Sequence, residues 1–177
     1  MKRSVFHPDY YFKSFHEVNA SQLKAHGIRL LIVDIDNTLI PSRSNVISEE
    51  AKQFINALRS NGIEPIVVSN NVSSRIQKVS DELHVHCFPF SFKPLPFGFQ
   101  KAMAAVHAEK SETAVLGDQL LTDIWGGNGL GIMTILSDPI AEKDNFFGAV
   151  NRRIENVLFR ILKSRGIFEK GKYYGKL

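Results

Sequence analysis

A single cysteine, Cys87, in a chain of 177 residues excludes an internal disulfide framework and any zinc cluster built on thiolates. No apolar run approaches the roughly 18 to 20 residues that cross a bilayer. Internal repeats and low-complexity linkers are also missing. The glycines of Gly126-Gly127-Asn128-Gly129-Leu130-Gly131 do not fit G-x-G-x-x-G and precede a predicted strand, so they read as a helix stop and turn. Met1-Lys2-Arg3 opens like a secretory signal, but Pro8, Asp9 and Lys13 interrupt the apolar core such a signal needs. A cytoplasmic location is therefore expected, with peripheral contact at the inner face of the membrane as its extension. A hydrophobic content of 44% against 23% charged residues suits one domain with a proper core, and excludes a disordered or collagen-like chain.

Acidic residues are scarce at one end. Residues 151–177 carry eight basic side chains (Arg152, Arg153, Arg160, Lys163, Arg165, Lys170, Lys172, Lys176) against Glu155 and Glu169, a net of +6. Since the whole chain is +4, residues 1–150 hold −2. A basic tail suits an anionic partner such as a membrane surface, a nucleic acid or a phosphorylated substrate. The plainer reading is a solvated helix face.

Short β-type runs alternate with helical patterns. Residues 28–34 are nearly continuous in branched apolar side chains, as in a strand buried on both faces. Ala51, Phe54, Ile55 and Leu58 mark a helix that Ser48 can cap and Gly62 can stop, with Glu49 and Glu50 in its first turn. Residues 63–69 form a second strand, weakened at its start by Pro65, and Val72, Ile76, Val79 and Leu83 a second helix with Asn71 as cap. A short strand at 85–88, a helix at 97–107, and strands at 113–117 and 131–137 complete the pattern. Single helices between strands imply a Rossmann-like α/β three-layer sandwich with a mainly parallel five-stranded sheet. The chain divides into an N-terminal arm (1–27), a core (28–145), and a basic helix and tail (146–177). Ligands of such sheets bind beyond the carboxyl ends of the strands.

Those ends carry a constellation. The first strand runs into Asp34-Ile35-Asp36-Asn37-Thr38, and two carboxylates this close repel without a cation or unequal protonation. Ser69 ends the second strand, Lys93 follows the third, and Gly117-Asp118 closes the fourth with Asp123 beyond. Asp34 and Asp118, with a backbone carbonyl near Asp36, are hard oxygen ligands suited to Mg²⁺. Ser69 and Lys93 suit the stabilisation of phosphoryl oxygens. One carboxylate can act as nucleophile and a second as acid and base.

These four motifs, in this order, resemble those of the haloacid dehalogenase (HAD) superfamily of phosphohydrolases. The strings Val68-Ser69-Asn70-Asn71, Lys93-Pro94-Leu95 and Gly117-Asp118-Gln119-Leu120-Leu121-Thr122-Asp123 narrow the resemblance to YqeG-type class IIIA phosphatases, whose relatives include phosphatidylglycerophosphate phosphatases. Asn151-Arg152-Arg153-Ile154-Glu155 extends it into the tail. The resemblance implies Asp34 as nucleophile and Mg²⁺ ligand, and Asp36 as acid and base that also offers its carbonyl to the metal. It further implies Thr38, Ser69, Asn70 and Lys93 as phosphate contacts, and Asp118 and Asp123 as metal ligands, Asp123 directly or through a neighbour.

Between residues 39 and 62, and between 69 and 93, there is no room for a cap domain. An uncovered site fits a bulky phosphorylated substrate (a phospholipid head group, a protein or a nucleic acid end) at least as well as a small metabolite. Two features lean toward lipid. Ile154, Val157, Leu158, Ile161 and Leu162 form an apolar stripe beside Arg153, Arg160 and Lys163, and Phe88, Phe90, Phe92, Phe97 and Phe99 crowd the flank of Lys93. The plainer readings are a helix covering the sheet and a half-buried strand. Tyr10, Tyr11, Phe12 and Phe15 suit an arm docked on the core. Basic residues among aromatics also suit single-stranded nucleic acid, although no module motif supports that. His84 and His86 lack a third ligand and read as surface residues, and Cys87 as a small buried one. The expectation is a Mg²⁺-dependent phosphomonoesterase. Its alternatives are a non-catalytic phosphate-binding or membrane-docking module, a phosphoprotein or nucleotide phosphatase, and a receiver-type domain. The last would need an aspartate after a mid-chain strand, where Ser69 and Cys87 stand instead.

Overall fold

The computed structural model describes residues 4–42, 44, 46–71, 74–141 and 146–175, the side chains of 74, 75 and 146–151 excepted. Val72, Lys176, the Met1-Lys2-Arg3 start and the side chain of Asn151 lie outside the described residues. The apolar runs form strands β1 (Tyr10–Phe12), β2 (Leu30–Val33), β3 (Glu64–Val68), β4 (His86–Phe88), β5 (Thr113–Gly117) and β6 (Met133–Ser137). The amphipathic runs form helices α1 (Ala20–Ala25), α2 (Glu49–Ser60), α3 (Ser74–Leu83), α4 (Phe97–Ala105), α5 (Trp125–Leu130) and α6 (Phe146–Ser164). Ser48 caps α2, its hydroxyl accepting from the Ala51 N–H at 3.2 Å.

All strands are parallel, in the order β1-β6-β5-β2-β3-β4. The sheet thus has six strands where the sequence pattern gave five. The additional one is β1, which adds to the edge of β6 with Tyr10 opposite Ile135. Its three residues are too few to show an alternation, and its aromatic content looked like simple docking. Pro65 is tolerated inside β3 because pairing with β4 begins only at Ile66, so no ladder bond is lost on that side.

Alternate side chains of β2 feed two cores. Leu31 and Val33 pack with α1, α2 and α3 on one face, and Leu30 and Ile32 with Phe99 and Ala102 of α4 and Leu130 of α5 on the other. Each such side chain contributes about 1.5–3 kcal/mol by leaving water. A third cluster joins Tyr11, Leu120, Ile124 and Leu136 to Leu162 of α6 and Phe168. The glycine-rich stretch is a correction: 126, 127 and 129 lie inside α5, and only Gly131, at φ 80°, makes the expected stop. A Cβ at position 127 would stand 2.6 Å from both Thr134 and Val115, so this helix lies unusually close to the sheet. From β2 the chain moves outward to β3 and β4, then crosses back to β5 and β6. The carboxyl end of β2 is therefore the switch point of the sheet.

Candidate active site

Asp34 leaves β2, Ser69 leaves β3 and Asp118 leaves β5, so three neighbouring strands deliver polar side chains to one rim. Lys93 reaches it from the segment after β4, and Asp123 from a π-helical turn at Leu120–Ile124. The Lys93 ammonium donates to Asp34 Oδ1 at 2.6 Å and to Asp123 Oδ1 at 2.7 Å. Thr38, fully buried, donates its hydroxyl toward Asp118 Oδ1 at 3.4 Å. One oxygen from each of Asp34, Asp118 and Asp123 falls within 4.8 Å of the others. The rim expected from the sequence is thus assembled around these residues.

Local geometry dictates several identities. At Gly117 a Cβ would lie 2.2 Å from the Asp123 carboxyl carbon, so only glycine lets the turn fold back onto the strand end. Asn37 takes the left-handed φ of 64° that asparagine tolerates, and its side-chain oxygen accepts from the Ser42 N–H at 3.0 Å. Asp36 is half-buried and accepts from Asn71 Nδ2 at 3.2 Å. Ser69 is buried, its hydroxyl oxygen accepting from the Asn71 N–H at 3.1 Å. Asn70 is engaged differently from its neighbours. Its side-chain oxygen accepts from the Lys93 N–H at 2.7 Å and its amide donates to the Lys93 carbonyl at 3.0 Å, pinning the segment that carries the lysine.

Burial makes this a strained electrostatic arrangement. Burial raises the Asp34 carboxyl well above its usual range; Lys93 opposes that, while Asp123, Asp118 and Asp36 add to it. Burial likewise pushes Asp118 up to about 7 against the pull of Arg152. For Lys93 burial alone acts downward, but Asp123 and Asp34 outweigh it and hold the ammonium above the ordinary lysine range. Among the described residues, three buried carboxylates share two nearby cations, Lys93 and Arg152. The remaining negative charge and the oxygen-only donor set fit a hard divalent cation. This cluster can hold a metal ion.

Asn71 was expected as a helix cap, and its contact with Asp36 was not foreseen. Nor was the reach of α6 into the rim, where Arg152 Nη2 donates to Asp118 Oδ2 at 3.0 Å. The signal for it is an Arg and a Glu three residues apart in the tail string that extends the family resemblance, which by itself assigns neither residue a role. His84 and His86 are exposed and take no part. Cys87 is half-buried, and burial, aided by Asp34, pushes its thiol up to about 12.

A family model described as mitochondrial PGP phosphatase matches residues 1–141. The chain belongs to that family. It is 31% identical over 166 residues to "Probable phosphatase YqeG" of Bacillus subtilis (strain 168), a match covering 94% of this chain and 96% of that protein. Among solved structures, a putative HAD superfamily (subfamily III A) hydrolase from Legionella pneumophila is similar with TM-score 0.54 and 19% identity, over 71% of this chain and 74% of that one. The cobalt-bound deoxy-D-mannose-octulosonate 8-phosphate phosphatase from Haemophilus influenzae is similar with TM-score 0.53 and 16% identity, over 81% and 92%. This member of the PGP phosphatase family is a HAD-type phosphatase on an α/β core. Among the described residues, no helix is long and apolar enough to cross a membrane.

Proposed function

We propose that this phosphatase is a Mg²⁺-dependent phosphomonoester hydrolase that works through a phosphorylated Asp34. The observation that carries the reading is the Lys93 ammonium held between Asp34 and Asp123 at 2.6 and 2.7 Å, inside a cluster of oxygen donors. Asp34, Asp118 and Asp123, with the Asp36 carbonyl, would hold the cation, which when bound offsets the charge of the phosphoryl group.

The chain's own residues account for the rest. An Asp34 oxygen attacks phosphorus while the ester P–O bond breaks, and Asp36, oriented by Asn71, gives its proton to the departing oxygen. Lys93 keeps Asp34 aligned, and Thr38 and Ser69 offer hydroxyls to the phosphoryl oxygens. Asp36, now ionised, takes a proton from water as that water attacks phosphorus. Inorganic phosphate leaves and the Asp34 carboxylate is restored.

For the substrate we propose a bulky phosphomonoester, with a phospholipid head group such as phosphatidylglycerophosphate first. Residues 46–62 hold only α2, and the described part of 69–93 only α3 and β4, so among the described residues neither connection adds a cap domain. Beside Lys93, Phe90, Phe92, Leu95 and Phe97 are 56%, 64%, 50% and 57% exposed. On α6, Ile154, Val157 and Ile161 are exposed next to Arg153 and Arg160, a composition suited to peripheral contact with an anionic membrane.

The test is phosphate release with and without Mg²⁺ on phosphatidylglycerophosphate vesicles, sugar phosphates, nucleotides and a phosphopeptide. Metal-dependent release fastest on the vesicles supports the whole reading. Preference for a small sugar phosphate refutes the substrate class, and binding without any release favours the non-catalytic module.

A further inference from the structure

We infer that α6 is a working part of the active site, with Arg152 a positioning residue that fixes Asp118 for the cation. The inference rests on the metal-dependent reading above. Arg152 and Glu155 stand three residues apart, one turn of the same face of α6. Arg152 Nη2 donates to Asp118 Oδ2 at 3.0 Å, and the two side chains are 19% and 0% exposed. Thr38 approaches the other Asp118 oxygen, so the carboxylate is gripped at both atoms.

Glu155, fully buried, accepts the Leu121 N–H on Oε1 at 3.0 Å, inside the π-helical turn that bears Asp123. Its Oε2 has no hydrogen-bond partner among the described residues. Further along this face, Leu158 and Leu162 pack with Leu120 and Ile124 of that turn. One helix face therefore holds both Asp118 and the turn bearing Asp123. Exposed Arg153 and Arg160, on the same helix, do neither.

Two effects of Arg152 on a bound cation have opposite signs. Its charge repels the ion, while its hydrogen bond orients a ligand. For a carboxylate as buried as that of Asp118, solvent is a poorer and less directional replacement for a lost partner, so orientation outweighs repulsion. Residues that orient metal ligands in this way change affinity on the order of 10- to 100-fold when removed.

The test is Mg²⁺ binding by isothermal titration calorimetry to the full chain and its variants, beside the Mg²⁺ concentration giving half-maximal phosphate release. Arg152→Ala should weaken both on that 10- to 100-fold scale, Arg152→Lys should recover part, and Arg160→Ala should match the parent. KM at saturating Mg²⁺ should stay within about threefold, since an orienting group acts through the metal. Unchanged or tighter Mg²⁺ binding in Arg152→Ala overturns the inference, whatever happens to thermal stability. Should that variant not fold, Arg152→Met keeps an apolar side chain of similar length and removes both the donor and the charge. Weaker binding again supports the orienting role, and tighter or equal binding overturns it. A parent protein that binds no divalent cation overturns the metal-dependent reaction itself; a parent that binds one, with variants that bind equally, overturns only the role of Arg152.

Discussion

Two neighbouring parts of this molecule invert the usual rule of apolar inside and polar outside, and they do so in opposite directions. At the strand ends Asp34, Asp118, Asp123 and Lys93 are buried charges, each gripped by a named partner. In the segment from Phe90 to Phe97 large apolar side chains face outward. Phe90 and Phe92 hold left-handed φ of 50° and 52°, unusual for bulky residues. The first inversion is compensated inside the protein. The second is left exposed, which suits the apolar partner proposed above. Lys93 sits between Phe92 and Pro94 and belongs to both.

Substitutions can pull the two apart. The largest effect is expected from Asp34→Asn, which should cut phosphate release by at least about 10³-fold, the scale of removing a covalent nucleophile. Its melting temperature should hold or rise, because the three carboxylates of the cluster repel one another and Lys93 keeps Asp123 as partner. Gly117→Ala should come next. Its methyl would need the space of the Asp123 carboxyl, so we expect about 1–3 kcal/mol of destabilisation by denaturant titration and a sharply reduced Mg²⁺ affinity. The double variant Phe90→Asn/Phe92→Asn addresses the other inversion. It should slow vesicle-borne substrate on the order of tenfold while leaving a small soluble phosphomonoester unaffected, and asparagine's tolerance of left-handed φ should keep the melting temperature from falling. Equal loss on both substrates would dissolve the contrast. The smallest effect concerns Cys87. A thiol pushed up to about 12 is protonated near neutrality, so iodoacetamide should modify it only slowly by mass spectrometry, without changing activity.

Much of the buried inversion was legible in the sequence because strand ends are simple to locate and parallel sheets place them side by side. Asp34, Ser69, Lys93, Asp118 and Asp123 needed only that geometry to be brought together. Asn71 and Arg152 escaped for a different reason. Each sits where an ordinary local role was available, a helix cap and a basic helix face, and nothing local distinguishes Arg152 from Arg153. Among the described residues, the packing of Leu158 and Leu162 and the burial of Glu155 fix the rotation of α6 that turns Arg152 inward. The apolar stripe of that helix was similarly ambiguous, and the fold divides it: Leu158 and Leu162 pack inward while Ile154, Val157 and Ile161 stay exposed. For the phenylalanines, period-two spacing suggested a longer strand. β4 stops at Phe88, and the left-handed turns beyond it leave no strand for Phe90 and Phe92 to belong to.

The most direct test of the account is chemical trapping on Asp34 itself. Acid quenching during turnover of a phosphate-radiolabelled substrate with Mg²⁺ should leave label on the protein, releasable by hydroxylamine and mapping to the peptide that contains Asp34. Label on another residue, or full turnover by Asp34→Asn, would contradict it.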